Sequence, residues 1–207
     1  MFNINPDGLR KRIRHILLVG AVGAGLLTLN ACTADVPPFV GVDITGANYA
    51  KDFDLTDQTG QRRTLADFRG KAVVIFFGYT QCPDVCPTSM TEMAEAKALL
   101  GADGERFQGL FLSVDPERDT PEVMAAYVGN FDPTFKALYA DPGQLKQVAQ
   151  DFKIYYKKVE GKTPTSYTMD HSAGSYTFDT QGRVRLFNRY GVGAQALADD
   201  FKLLLKK

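Results

Sequence analysis

Ala72-Val73-Val74-Ile75-Phe76-Phe77-Gly78-Tyr79-Thr80-Gln81-Cys82-Pro83-Asp84-Val85-Cys86-Pro87 decides how this chain is read. Six consecutive apolar residues without alternation are what a central strand covered on both faces requires. Pro87 suits the first turn of a helix, and Met90, Met93, Ala96 and Leu100 fall on one face of it. Between strand and helix stand two thiols three residues apart. A helix N-terminus favours the thiolate and lowers a thiol pKa, so Cys82 and Cys86 read as a redox dithiol or as soft-metal donors. The plain alternative, two buried structural cysteines, sits poorly with a loop position between two prolines.

Outward from this stretch the chain alternates strand and helix patterns. Upstream, Phe53–Thr56 and Arg62–Leu65 flank Asp57-Gln58-Thr59-Gly60, the pattern of a hairpin. Downstream, Leu110–Val114 reads as a second buried strand. Thr120-Pro121-Glu122 caps a helix with Val123, Met124, Tyr127 and Val128 on one face. Ala137–Ala140 reads as a strand, and Asp141-Pro142 opens a helix with the stripe Leu145, Val148, Ala149, Phe152. The polar stretch from Lys157 to Met169 reads as a loop. A hairpin follows, Tyr176/Phe178 against Val184/Leu186 around Asp179-Thr180-Gln181-Gly182, and Leu197, Phe201, Leu204 and Leu205 line a last helix. Helices after strands with an antiparallel pair at the end predict an α/β sandwich around a mixed sheet.

The chain has 207 residues, 44% of them hydrophobic, with 24 basic and 24 acidic side chains. One core of domain size is affordable, and a disordered chain is excluded. The N-terminus is an address. Arg10, Lys11, Arg12 and Arg14 precede an apolar run, Ile16 to Leu29, too short for a membrane span of about 20 residues. Residues 1–31 are therefore expected to be a signal peptide. Leu29-Asn30-Ala31-Cys32 resembles a bacterial lipobox, which makes Cys32 the expected lipid attachment site. Asn30 is unusual in such a motif, and ordinary cleavage or an uncleaved anchor are the alternatives. Each alternative places the remainder outside the cytoplasm, on the periplasmic side of a bacterial inner membrane. Gly20 to Gly25 imitates a phosphate loop but lacks its Lys-Ser/Thr ending. Without residues 1–31, 20 basic and 23 acidic side chains remain, a balance that excludes a nucleic-acid binder. Residues 32–49, with Pro37-Pro38, read as a tether, and 50–207 as the folded domain.

His171 is the only histidine outside the leader, since the other is His15. It follows Asp170 and precedes the hairpin strand at Tyr176. Two thiolates and one imidazole suit Cu(I), which favours soft donors and low coordination. A structural zinc site usually takes four ligands, and Cys32, the remaining cysteine, is assigned to lipid. Met90 reads as core, Met169 is left open, and Asp84 and Asp170 are candidates either for orienting the ligands or for simple turns. The charged loop Asp115 to Asp119 lies where a sheet's carboxyl end puts it beside the site.

Gly78 to Pro87, Ser113 to Pro121 (Ser-Val-Asp-Pro-Glu-Arg-Asp-Thr-Pro) and Asp170-His171-Ser172, in this order and spacing, resemble the Sco/SenC family. The resemblance covers about Phe53 to Phe201. It implies a thioredoxin-like fold, here with an added N-terminal hairpin, and copper held by Cys82, Cys86 and His171. It further implies attachment to the membrane by an N-terminal anchor and delivery of copper to the copper-site subunit of a haem-copper (cytochrome c) oxidase. Other copper chaperones or thiol reductants are further expected partners. The competing role is a thiol–disulfide oxidoreductase that keeps the oxidase's copper-site cysteines reduced, in which His171 is incidental. A thiol peroxidase fits poorly. Peroxiredoxin-type sites want Thr or Ser three residues before the reactive cysteine and Pro seven before, and neither cysteine has them.

Overall fold

The computed structural model describes residues 39–163 and 166–206. The leader, the glycine run at 20–25 and Cys32 lie outside the described residues. In chain order the elements are β1 (Val42–Asp43), β2 (Leu55–Asp57), β3 (Arg62–Arg63), β4 (Ala72–Gly78), α1 (Val85–Leu99), β5 (Phe107–Ser113), α2 (Pro121–Gly129), β6 (Lys136–Tyr139), α3 (Pro142–Asp151), β7 (Tyr156–Val159), β8 (Thr168–His171), β9 (Ser175–Phe178), β10 (Val184–Asn188) and α4 (Ala194–Leu205). All but β7 and β8 among the described strands form one mixed sheet in the order β1-β10-β9-β4-β5-β6-β2-β3. β4, β5 and β6 run parallel, and β9, β10 and the β2–β3 hairpin extend the sheet antiparallel on either side. The result is the thioredoxin-like α/β sandwich, with the N-terminal hairpin added beside β6.

Burial explains the unbroken apolar run at β4, where every residue from Ala72 to Gly78 is buried. Phe76 shares a small cavity with Met93 of α1 and Leu197 of α4. Phe77, on the opposite face, meets the Phe152 ring beyond α3 edge-on at 5.3 Å. A strand so covered has no polar face to alternate. The helix starts follow their caps. The Thr120 hydroxyl accepts from Val123 N at 3.4 Å. The Asp141 carboxylate accepts from the amides of Gly143 and Gln144, while the Gln144 side chain accepts from Asp141 N, a capping box.

Several expectations need correction. Val123, placed on the inner face of α2, is 43% exposed; Met124 and Val128 carry that face. β5 begins at Phe107, three residues earlier than its apolar run suggests, because the buried Gln108 amide donates to Gly109 O and Thr134 O and so behaves as a core residue. Within the stretch read as tether, β1 pairs with β10, and the buried Asp200 carboxylate of α4 accepts from the amides of Val40 and Gly41. The largest correction concerns Lys157 to Met169, read as loop, where β7 and β8 pair antiparallel in register Tyr156↔His171 and Lys158↔Met169. Tyr156 and Lys158 are half-buried, Lys157 and Val159 exposed. Lysine on both faces of β7 conceals that alternation from a hydropathy pattern.

Candidate metal centre

β4 ends at Gly78, and the chain turns at Tyr79, with Cys82 N donating to Tyr79 O, before α1 begins at Val85. Asp84 occupies the N-cap position but makes no side-chain cap bond. The helix thus starts two residues before Pro87, and Cys86 sits inside the first turn rather than in the loop. Its amide, one of the helix's otherwise unpaired N–H groups, points at Cys82 Sγ at 3.4 Å. Cys86 is fully buried and Cys82 half-buried, and both are free thiols. Gly78 makes room for them: a Cβ at this position would stand 2.8 Å from Cys86 Sγ and 2.8 Å from the Phe76 ring.

His171 reaches the same place from β8, with its Nε2 at 3.4 Å from Cys86 Sγ. Its Nδ1 lies 2.9 Å from Ser172 O. A carbonyl only accepts, so Nδ1 carries the proton and the Nε2 lone pair faces the sulfur. Phe76 and Tyr79 meet the imidazole edge-on at 6.1 and 5.8 Å. Burial among them lowers the His171 pKa, against weaker upward pulls from Ser172 O and Asp170, and keeps the ring neutral. One donor atom from each of Cys82, Cys86 and His171 lies within 4.8 Å of the others. Two sulfurs and one neutral imidazole with an accessible lone pair are a three-donor set for a soft metal ion.

Electrostatics differ from the expectation for a helix N-terminus. Burial, then the Cys82 neighbour, pushes the Cys86 thiol well above the ordinary cysteine range. Desolvation of the charged form outweighs the helix end here, so Cys86 rests as a thiol. A metal ion at the site must therefore displace its proton, and it supplies the positive charge that a buried thiolate lacks.

The loop after β5 stands beside the cysteines. Asp119, fully buried, accepts from the Ser113 hydroxyl at 2.6 Å, the Thr80 hydroxyl at 2.6 Å and the Thr80 amide at 3.2 Å. It ties the end of β5 to the turn that carries Cys82. Burial raises its pKa against those three hydrogen bonds. Met90 is fully buried on α1, as read, and Met169 is also buried. Asp84 and Asp170 are exposed, and Ser172 O rather than the Asp170 carboxylate holds the imidazole. Sequence reasoning missed the individual roles of Asp119, Arg118 and Tyr167. The signal available for the first two was their place in the loop at the sheet's carboxyl end.

A thioredoxin-like sheet with a dithiol at its first helix and a third donor from a distal hairpin defines a class, a dithiol domain fitted for a soft metal. The chain belongs to the SCO1/SenC family, whose sequence profile matches residues 42–206. An SCO2-like protein of Rickettsia felis is 36% identical over 170 residues, covering 81% of this chain and 82% of its own. The structure of Bradyrhizobium japonicum ScoI with copper bound is 42% identical, with a TM-score of 0.68 over 74% of this chain and 97% of that one. Arabidopsis thaliana ScoI with copper bound is 30% identical, with a TM-score of 0.69 over 75% and 98%.

Proposed function

We propose that this chain is an extracytoplasmic copper metallochaperone. Cys82, Cys86 and His171 hold one Cu(I), and the protein passes it to the binuclear copper centre of a haem-copper oxidase. The convergence of the three donors within 4.8 Å carries the reading. Copper-bound relatives at 42% and 30% identity support it. Copper is cargo here. Loading displaces the Cys86 proton, and the neutral Nε2 needs no deprotonation. Cys86 is the enclosed donor and Cys82 the half-buried one, so Cys82 is the sulfur through which an incoming thiolate exchanges. Residues 1–31 act as the export signal and lipid on Cys32 tethers the domain at the periplasmic face of the inner membrane.

The second reading, a thiol–disulfide oxidoreductase acting on the oxidase's copper-site cysteines, is favoured by the pairing of a half-buried with a buried free thiol. Intact mass and metal analysis of the protein extracted from membranes tests the proposal. An acylated N-terminus at Cys32 with one copper per chain is the expected result. Metal-free protein that takes up no Cu(I), or full in-cell function without His171, points to the oxidoreductase instead.

A further inference from the structure

Arg118 joins three segments that the sequence keeps apart. Its Nε pairs with the Asp115 carboxylate, and its Nη1 donates to Tyr167 O at 2.9 Å and to Gln81 Oε1 at 3.1 Å. Gln81 immediately precedes Cys82, and Tyr167 immediately precedes the strand that ends in His171. The guanidinium also lies 3.5 Å from the centre of the Tyr167 ring, whose hydroxyl donates to Asp115 Oδ1 at 2.7 Å. Lys158 of β7 stands 3.9 Å from the same ring and pairs with Glu117. With its side chain only 14% exposed, Arg118 is no ordinary surface ion pair.

We propose that Arg118 is a positioning residue: a clasp that holds the β7–β8 hairpin, and with it His171, against the Cys82 turn. Lifting the hairpin breaks the Tyr167 contacts to Arg118 and Asp115, while the Gln81 bond ties the same guanidinium to the cysteine turn, so the clasp sets how readily the donor cluster opens and releases metal. This rests on the copper reading for its metal consequence; the holding of the hairpin does not. Lysine keeps a charge but lacks the planar fork by which Nε pairs with Asp115 while Nη1 reaches Gln81 and Tyr167 O, and the flat face that stacks on Tyr167.

The test compares the full chain with Arg118→Lys in two measurements. The first is amide hydrogen exchange of the metal-free protein, and the second is the rate at which Cu(I) passes to an excess chelator. The clasp predicts exchange at Thr168–His171 faster by about tenfold with β4 unchanged, and Cu(I) release faster by about tenfold, as expected when charged hydrogen bonds are lost. Unchanged exchange in the hairpin overturns it, as does a loosened hairpin with unchanged release. If the parent chain binds no Cu(I), the copper reading fails, and hairpin exchange alone decides for or against the clasp. If β4 also exchanges faster in Arg118→Lys, Gln81→Ala decides. It removes only the exposed link to the cysteine turn, and must loosen the hairpin, and speed release where copper binds, with β4 intact. No change there overturns the proposal.

Discussion

His171 Nε2 stands 3.4 Å from Cys86 Sγ although 85 positions of sequence separate them. The site therefore exists only in the folded chain, and each of its parts has a measurable consequence.

The two thiols differ in access. Cys82 is half-buried, whereas Cys86 is enclosed in the first turn of α1 with its pKa raised by burial. Reactivity follows thiolate fraction and exposure. Iodoacetamide is expected to label Cys82 at least about tenfold faster than Cys86 in the native, metal-free protein. Peptide mass analysis of a time course reads the ratio, and equal rates would contradict the placement of Cys86.

Gly78 leaves the space that Cys86 Sγ fills. In Gly78→Ala the added methyl would lie 2.8 Å from that sulfur and 2.8 Å from the Phe76 ring, and the next-nearest atom belongs to Phe111 at 3.0 Å. Overpacking of this kind costs about 1–3 kcal/mol. Urea unfolding should show that loss, with Cu(I) affinity falling as well because the sulfur must move. Unchanged stability would mean that the sheet and helix yield freely at this point.

The neutral, buried imidazole gives the metal-free protein a pH dependence. Burial holds the folded-state pKa of His171 below the ordinary 6.5, so the unfolded chain binds the extra proton first. The contribution is complete above about pH 6.5 and is lost as pH falls through the lower folded-state value. Urea midpoints measured downward from neutral pH should decline in the parent, and His171→Gln should lack that component. Identical slopes for both would show that the ring is not buried in its neutral form.

How much was legible from the sequence follows from where burial leaves a pattern. β4 announced itself because both faces are covered, and α3 because Asp141-Pro142 opens it ahead of the stripe Leu145, Val148, Ala149, Phe152. The cysteine turn was legible from its place between β4 and the helix signal at Pro87 that belongs to α1. β7 was hidden because Tyr156-Lys157-Lys158-Val159 puts lysine on its inner as well as its outer face, with the Lys158 ammonium over the Tyr167 ring. Cys86 was misjudged as to ionisation because sequence shows the helix start but not the depth of burial. The Arg118 contacts were illegible for another reason: ion pairs between distant segments have no period. His171 was suggested by its chemistry, since no pattern within the chain states that it folds onto the cysteines.

Copper K-edge X-ray absorption of the Cu(I)-loaded protein tests the central claim most directly. Two sulfur scatterers and one imidazole nitrogen around a single copper, with the nitrogen lost in His171→Ala, are the predicted result. A shell without that nitrogen in the parent protein, or one identical in the variant, would contradict the account.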